Sequence, residues 1–228
     1  MLQSMILAVV LVAAPTMDVE TATSRQAHAR LERELKTGSL IVSRGDCLAV
    51  KMYSASAYTH VASVVVHDDE VFVYDATGGA GVRKQSLVDY LAGQDDNVLY
   101  PFHLTEPLAP EKAKKFEDHL ESQLGRPYAI AHHLTGKRAD GLHCSEYATD
   151  ALIAASLLRA KQPSRVSPAT LVAGILKDDL YRQATTLQLV PEPPRRPDSD
   201  SWCSQIWFDT KHCTRACYLQ LRAWFCCK

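Results

Sequence analysis

This chain of 228 residues has almost no net charge: 25 Lys and Arg stand against 26 Asp and Glu. A nucleic-acid binder ordinarily carries a basic excess, so nothing in the composition supports that partner class. The chain also lacks any run of the ~18 apolar residues that a transmembrane helix needs. Its longest apolar run, Met5 to Ala14, has the length of a signal-peptide h-region, with small residues after it and "AHA" (Ala27 to Ala29) as a further cleavage site. Yet no Lys or Arg precedes Arg25, so the basic n-region of such a signal is missing. Residues 1–23 therefore read either as a signal peptide, which predicts a secreted, periplasmic or cell-envelope protein, or as a short hydrophobic helix packed on the domain. No internal repeat is present. No paired C-x-x-C occurs, and aromatic residues are scarce at 7%, with all three tryptophans beyond residue 200.

What is there is enough for one sizeable core, since 46% of the residues are hydrophobic. Residues 24–37, "SRQAHARLERELKT", predict a helix capped by Ser24, supported by a Glu32–Lys36 pair and ended by Gly38. The segment "SLIVSRGDCLAVKMY" has strand composition broken by a Gly-Asp turn. Two Val-rich alternating runs, 60–67 and 70–77, predict a hairpin, and residues 97–104 a further strand. Helices return over 109–125, closed by Gly125, and over 144–160, and residues 179–190 read as one more strand. Helix, then antiparallel strands, then helices indicates an α+β fold, an antiparallel sheet packed on helices. The Pro-rich stretch 190–201 reads as a stiff linker, so the body is expected to span 24–190 and residues 191–228 to form a linker and a separate Cys- and aromatic-rich tail.

Cys47 and Cys144 are the cysteines of the body; Cys203, Cys213, Cys217, Cys226 and Cys227 crowd the tail. Cys203 with "H-C-x3-C" at 212–217 offers zinc-ligand types, but not the familiar paired spacing. Disulfides are the expectation there, in keeping with export, and no metal site is assigned. Cys47 reads as core. The tail aromatics, Trp202, Trp207, Phe208, Trp224 and Phe225, are expected to dock on the body, because exposed aromatic patches are costly.

Cys144 stands apart. It opens a helical pattern after the loop "DGLH", where free N–H groups and the helix dipole favour a thiolate and offer an oxyanion hole through the backbone N–H groups of Cys144 and Ser145. A nucleophilic thiol needs a base, and the base needs an orienter. His60 begins a Val-rich strand and is the candidate base. If the hairpin loop holds an even number of residues, Asp75 shares the face of His60, opposite or diagonal to it. Asp75 also reads as a turn residue before "TGG", with Asp69 and Glu70 as nearby alternatives. His143 is rejected as the base because adjacent helix residues do not face each other. Glu146 reads as a structural carboxylate complementing the dipole, and Tyr58 is weighed as a cleft residue.

The segments "RGDCLAV", "YTHVASVVV", "VFVYDAT…GVRKQSLVDYL", "LGRPY", "HCSEYATDAL" and "RVSPATL" follow the order seen in the circularly permuted branch of the papain-like NlpC superfamily. The chain most resembles its YiiX/YebB-like (YaeF-like) cysteine hydrolases, over roughly residues 38–175. The resemblance implies a papain-like fold in permuted order, with Cys144 as nucleophile, His60 as base and Asp75 as the third member. Two departures stand out: Ala129 occupies a place where Asp is usual, and the loop before His60 is short. The lecithin retinol acyltransferase family shares this plan and moves fatty acyl groups. The expectation is thus a cysteine hydrolase of amidase or peptidase type, with no cofactor required. Acyl transfer or thioester cleavage on an acyl-lipid substrate is the alternative, with membrane-surface or envelope association. A non-catalytic, disulfide-stapled interaction module is the rival from outside enzymology. The substrate is peptide-like or an acyl lipid, and oligomeric state is not legible.

Overall fold

The computed structural model describes residues 19–44, 56–94, 96–130 and 140–192, with scattered positions between 203 and 218. The hydrophobic run at 5–14, Cys47, most of the Pro-rich linker, Trp202, Phe208, His212, Trp224, Phe225, Cys226 and Cys227 lie outside these residues.

The fold is α+β. Eight strands, β1 (Val19–Thr23), β2 (Leu40–Ser43), β3 (His60–His67), β4 (Glu70–Thr77), β5 (Gly81–Ser86), β6 (Val98–Leu104), β7 (Tyr181–Gln183) and β8 (Thr186–Val190), make one sheet. Its order is β1-β8-β6-β2-β3-β4-β5, with β7 also paired to β6. Every pairing is antiparallel except β1 on β8, which is parallel. Among the described residues five helices flank the sheet: α1 (Ser24–Glu34), α2 (Leu87–Ala92), α3 (Pro110–Ser122), α4 (Cys144–Ala154) and α5 (Pro168–Lys177).

Alternation along the central strands builds two cores. Val61, Val65, Tyr74, Ala76 and Phe102 pack with Phe116 and Leu120 of α3, Tyr147 and Ala151 of α4, and Val172 and Ile175 of α5. Ala62, Val64, Val71 and Val73 face the other way, against Ala27 and Leu31 of α1 and Leu87 and Leu91 of α2.

The Val-rich hairpin forms as expected. Asp68 and Asp69, both at positive φ (49° and 64°), make the two-residue turn between β3 and β4 that suits right-handed strand twist. Elsewhere the boundaries shift. Thr23, not Ser24, caps α1, in a reciprocal box in which Gln26 Oε1 accepts from Thr23 N at 2.9 Å. That helix stops at Glu34 because Leu35 turns extended (ψ 143°) to reach the core, so Lys36 falls outside it and Glu34 pairs with Arg30 at 3.0 Å instead. Helix α3 ends at Ser122, ahead of Gly125. Helix α4 ends six residues before 160, at Ala154: Ser156 adopts φ 57°, and Leu157 N bonds to Leu152 O at 2.9 Å in a Schellman closure. Residues 179–190 make two strands because their registers on β6 differ by one residue (Phe102↔Gln183 but Leu99↔Leu187), which leaves a bulge at Ala184 and Thr185.

The folded unit starts before residue 24, because Val19–Thr23 pairs with Thr186–Val190. Cleavage at "AHA", after Ala29, would remove β1 and the first half of α1 with Ala27, which is fully buried. Among the described residues no helix is long and apolar enough to cross a membrane. In the tail, Cys203, Cys213 and Cys217 are exposed free thiols, and Ile206, Trp207 and Tyr218 are exposed rather than docked. The disulfide expectation is therefore not met at Cys203, Cys213 and Cys217, nor the docking expectation at Trp207. Lys211 Nζ lies 4.9 Å from the Trp207 ring centroid.

One clasp ties the sheet edge to the segment that leads into the site. Val82 N donates to Arg126 O at 2.8 Å and Gly125 N to Val82 O at 2.9 Å. Gly81 permits this approach: its φ is 70°, and a Cβ there would lie 2.4 Å from Arg126 O. Gly81→Ala is therefore expected to cost roughly 2–4 kcal/mol, from left-handed strain plus a lost hydrogen bond, and to lower Tm by on the order of 5–10 °C in a thermal melt. Gly79→Ala is the control: its φ is 99° but nothing lies within 4 Å of the added Cβ, so it carries strain alone. Equal melts for the two variants would remove the clasp as a source of stability.

Candidate active site

His143 takes extended backbone angles (φ −100°, ψ 163°) and stands as the N-cap of α4. Its ring folds back over the first turn, where Nδ1 accepts from Glu146 N at 3.2 Å and Nε2 donates to Ser164 O at 2.9 Å. Each ring nitrogen thereby has a backbone partner, which holds the ring as a cap. The reason expected for rejecting His143 as the base does not hold: its ring does meet and hydrogen-bond the Cys144 thiol, because a cap residue is not bound by the geometry of the helix interior. Ser145 donates its hydroxyl to Val166 O at 2.6 Å. The backbone N–H groups of Cys144 and Ser145 have no i−4 carbonyl within the helix and sit beside the thiol. Glu146, fully buried in the first turn, has Oε2 3.8 Å from His143 Nε2, in keeping with a structural role. Cys144 itself is only 6% exposed and belongs to the core, so it is not the surface thiol that a helix start suggests.

His60 opens β3, on the face that carries Ala62, Val64 and Val66. The register Ser63↔Tyr74, continued toward the strand start, sets Asp75 diagonal to it on the neighbouring strand. His60 Nε2 lies 3.3 Å from Asp75 Oδ2, which leaves Nδ1 for the thiol. Cys144, His60 and Asp75 are thus brought together. Asp69 and Glu70 are not: Asp69 belongs to the turn, and Glu70 pairs across the strand end with His67. Tyr58 packs edge-on against Tyr100, centroids 5.0 Å apart.

Arg83 was not anticipated. It is the direct cross-strand partner of Asp75 in β5. Its Nε donates to Oδ1 at 2.8 Å and its Nη2 to Oδ2 at 3.2 Å, a two-point grip on a carboxylate that is 1% exposed. A three-residue loop after Thr77 would have revealed the pairing, since it sets residues 75 and 83 opposite each other. On the same face lie two more buried hydroxyls, of Ser43, opposite His60, and of Tyr90 in α2.

The charges cooperate. Burial would push the Cys144 thiol up, but the His60 charge and hydrogen bonds from His143 and His60 outweigh it and bring the thiol well below its ordinary value. Burial would lower His60, yet the thiolate charge and the bonds to Asp75 and Cys144 raise it. Burial would raise Asp75, but bonds from His60 and Arg83 hold it below the usual carboxylate range. The three groups therefore favour thiolate, imidazolium and carboxylate together. Among the described residues no group of three or more His, Cys, Asp or Glu side chains is arranged to hold a metal ion.

No family model and no curated protein matches this chain. Among solved structures, the crystal structure of metalloprotein yiiX from Escherichia coli O157:H7, DUF1105, is similar, with TM-score 0.46 and 19% identity over 70% of this chain and 98% of that chain.

Proposed function

We propose that this protein is a thiol-dependent hydrolase of amidase or peptidase type, opening an amide or ester bond through an acyl-enzyme on Cys144. The observation that carries the reading is a thiol at a helix start that meets His60, which is itself held by Asp75 at 3.3 Å. The resemblance of its motifs to permuted papain-like hydrolases supports the same assignment.

In the proposed cycle the Cys144 thiolate attacks the carbonyl carbon, and the C=O electron pair moves onto oxygen. The backbone N–H groups of Cys144 and Ser145 hold that oxyanion. His60 Nδ1–H gives its proton to the departing amine or alcohol, leaving a thioester on Cys144. Nδ1 then takes a proton from water, the hydroxide adds to the thioester, and collapse releases the acid and restores the thiolate. Asp75 accepts from Nε2–H throughout, keeping Nδ1 turned to the reacting atoms.

Alkylation by iodoacetamide tests the pair without knowledge of the substrate. Thiolate content rises with pH through the thiol's own titration, so a lowered value moves the reactive limb well below the ~8.5 of a free thiol. In His60→Ala the cation is gone and the limb is expected to shift up by at least one to two pH units, on the order of the effect of a nearby opposite charge. Coincident curves for the two proteins would dissolve the Cys144–His60 pair.

A further inference from the structure

We infer that Arg83 is a positioning residue of this site: by gripping both oxygens of Asp75 it fixes the plane of the carboxylate, holds an acceptor toward His60 Nε2, and moderates how tightly the imidazolium is held. The inference deepens the hydrolase reading and rests on it for its functional meaning.

Asp75 is reached from two sides. Arg83 Nε takes Oδ1 at 2.8 Å and Nη2 takes Oδ2 at 3.2 Å, while His60 Nε2 shares Oδ2 at 3.3 Å. The fork of a guanidinium fixes the plane of the carboxylate as well as its place, which a lysine cannot do. With that plane fixed, Oδ2 remains an acceptor aimed at Nε2, and Nδ1 is left for the thiol. Arg83 is 39% exposed along its side chain and Asp75 1%, so the grip closes the sheet-edge side of a buried carboxylate.

Arg83 also sets the strength of the contact. Among the described residues, the charged and titratable groups that act on His60 or on its two partners are Cys144 and His143 from α4, Asp75 from β4, Arg83 from β5 and Tyr90 from α2. Among the described residues of this set, Arg83 is the fixed cation. It offsets part of the Asp75 charge and repels an imidazolium. Without it the imidazolium is held more tightly, so His60 releases its proton at higher pH.

Nitrogen-15 NMR of the His60 ring reads both effects, with iodoacetamide alkylation of Cys144 alongside. Arg83→Met is expected to raise the His60 titration midpoint by on the order of one pH unit, and Arg83→Lys, which keeps the charge, to leave it near wild type. Asp75→Asn is expected to switch the neutral ring to the Nδ1–H tautomer. Arg83 Nε, the shorter of its two contacts at 2.8 Å, takes the amide oxygen at the Oδ1 position, so the NH2 group stands at Oδ2 and faces Nε2, which then has to accept. Asp75→Asn with Arg83→Met frees the amide to turn and is expected to return the ring toward Nε2–H, with Cys144 alkylation recovering relative to Asp75→Asn alone.

A merely structural Arg83 predicts no such return. If the double variant keeps the tautomer of Asp75→Asn, or if Arg83→Met leaves the His60 midpoint unmoved, the inference is overturned. Should Arg83→Met not fold, Arg83→Gln carries the same comparisons. An inert Cys144 in the wild type, with the His60 tautomer still responding as stated, would overturn the hydrolase reading and leave the positioning role standing.

Discussion

Cys144→Ala is expected to lower turnover by about 10⁴-fold or more, to the level that oxyanion binding alone supports, because the proposed acyl-enzyme forms on its sulfur. The same change removes a buried sulfur, since Cys144 is 6% exposed and packs in the core with Tyr147 and Ala148. A small-atom deletion of this kind costs roughly 1–2 kcal/mol, so the melt should fall by only a few degrees. Turnover and melting measured on one preparation separate the two effects. Retained turnover with a normal melt removes Cys144 as the nucleophile. Lost turnover with a collapsed melt is read against Cys144→Ser, which restores most of the volume but supplies a hydroxyl that neighbouring cations ionise far less readily.

Asp75→Asn carries the second large effect, a fall in kcat of about 10³–10⁴-fold with substrate binding little changed. The reason is specific to this site. An amide has one acceptor and one donor end, and Arg83 Nε, the shorter contact at 2.8 Å, holds the acceptor at the Oδ1 position, while Nη2, 3.2 Å from Oδ2, loses its acceptor. The donor end then meets His60 Nε2, which must lose its proton, and Nδ1–H turns a donor toward the atom it should deprotonate. Asp75→Glu keeps the charge and the acceptor and is expected to retain far more activity. It must, however, fit a further methylene where the native side chain is 1% exposed, at a stability cost of roughly 1–3 kcal/mol. Comparing kcat and KM for Asp75→Asn, Asp75→Glu and Asp69→Asn decides the assignment. A crippled Asp69→Asn beside a near-normal Asp75→Asn would contradict the register of β3 on β4.

Much of this site was legible because its parts are local. Val alternation marks both strands of the β3–β4 hairpin to the residue, and the parity of its turn places Asp75 on the face of His60. Cys144 follows a loop and precedes an apolar helical pattern, which locates the helix start. What was hidden depends on partners. The strand "GVRKQS" has one buried side chain, Val82, and exists because β4 lends it a ladder, so Arg83 went unread. The strand "VETAT" is mostly exposed and holds its place by pairing with β8, so its residues looked like the end of a leader. Helix ends shifted where a core contact, as at Leu35, or a left-handed residue, as at Ser156, overrode the local preference. The burial of Cys144 was equally out of reach, because it is a property of what packs over the helix start.

The two cores on opposite sides of the sheet have a consequence for how this protein fails. Cys144 belongs to the layer of α3, α4 and α5, while His60 and Asp75 lie on the strand face of Ala62, Val64 and Val73, which pack in the layer of α1 and α2. Separate packed layers open as distinct cooperative units, each with its own free energy, below that of global unfolding. A partial detachment of α4 would therefore part thiol from imidazole while the His60–Asp75–Arg83 contacts stayed intact. Under gentle heating or low denaturant, thiol acidity would fade before the secondary structure does, making Cys144 a reporter of the first layer to let go.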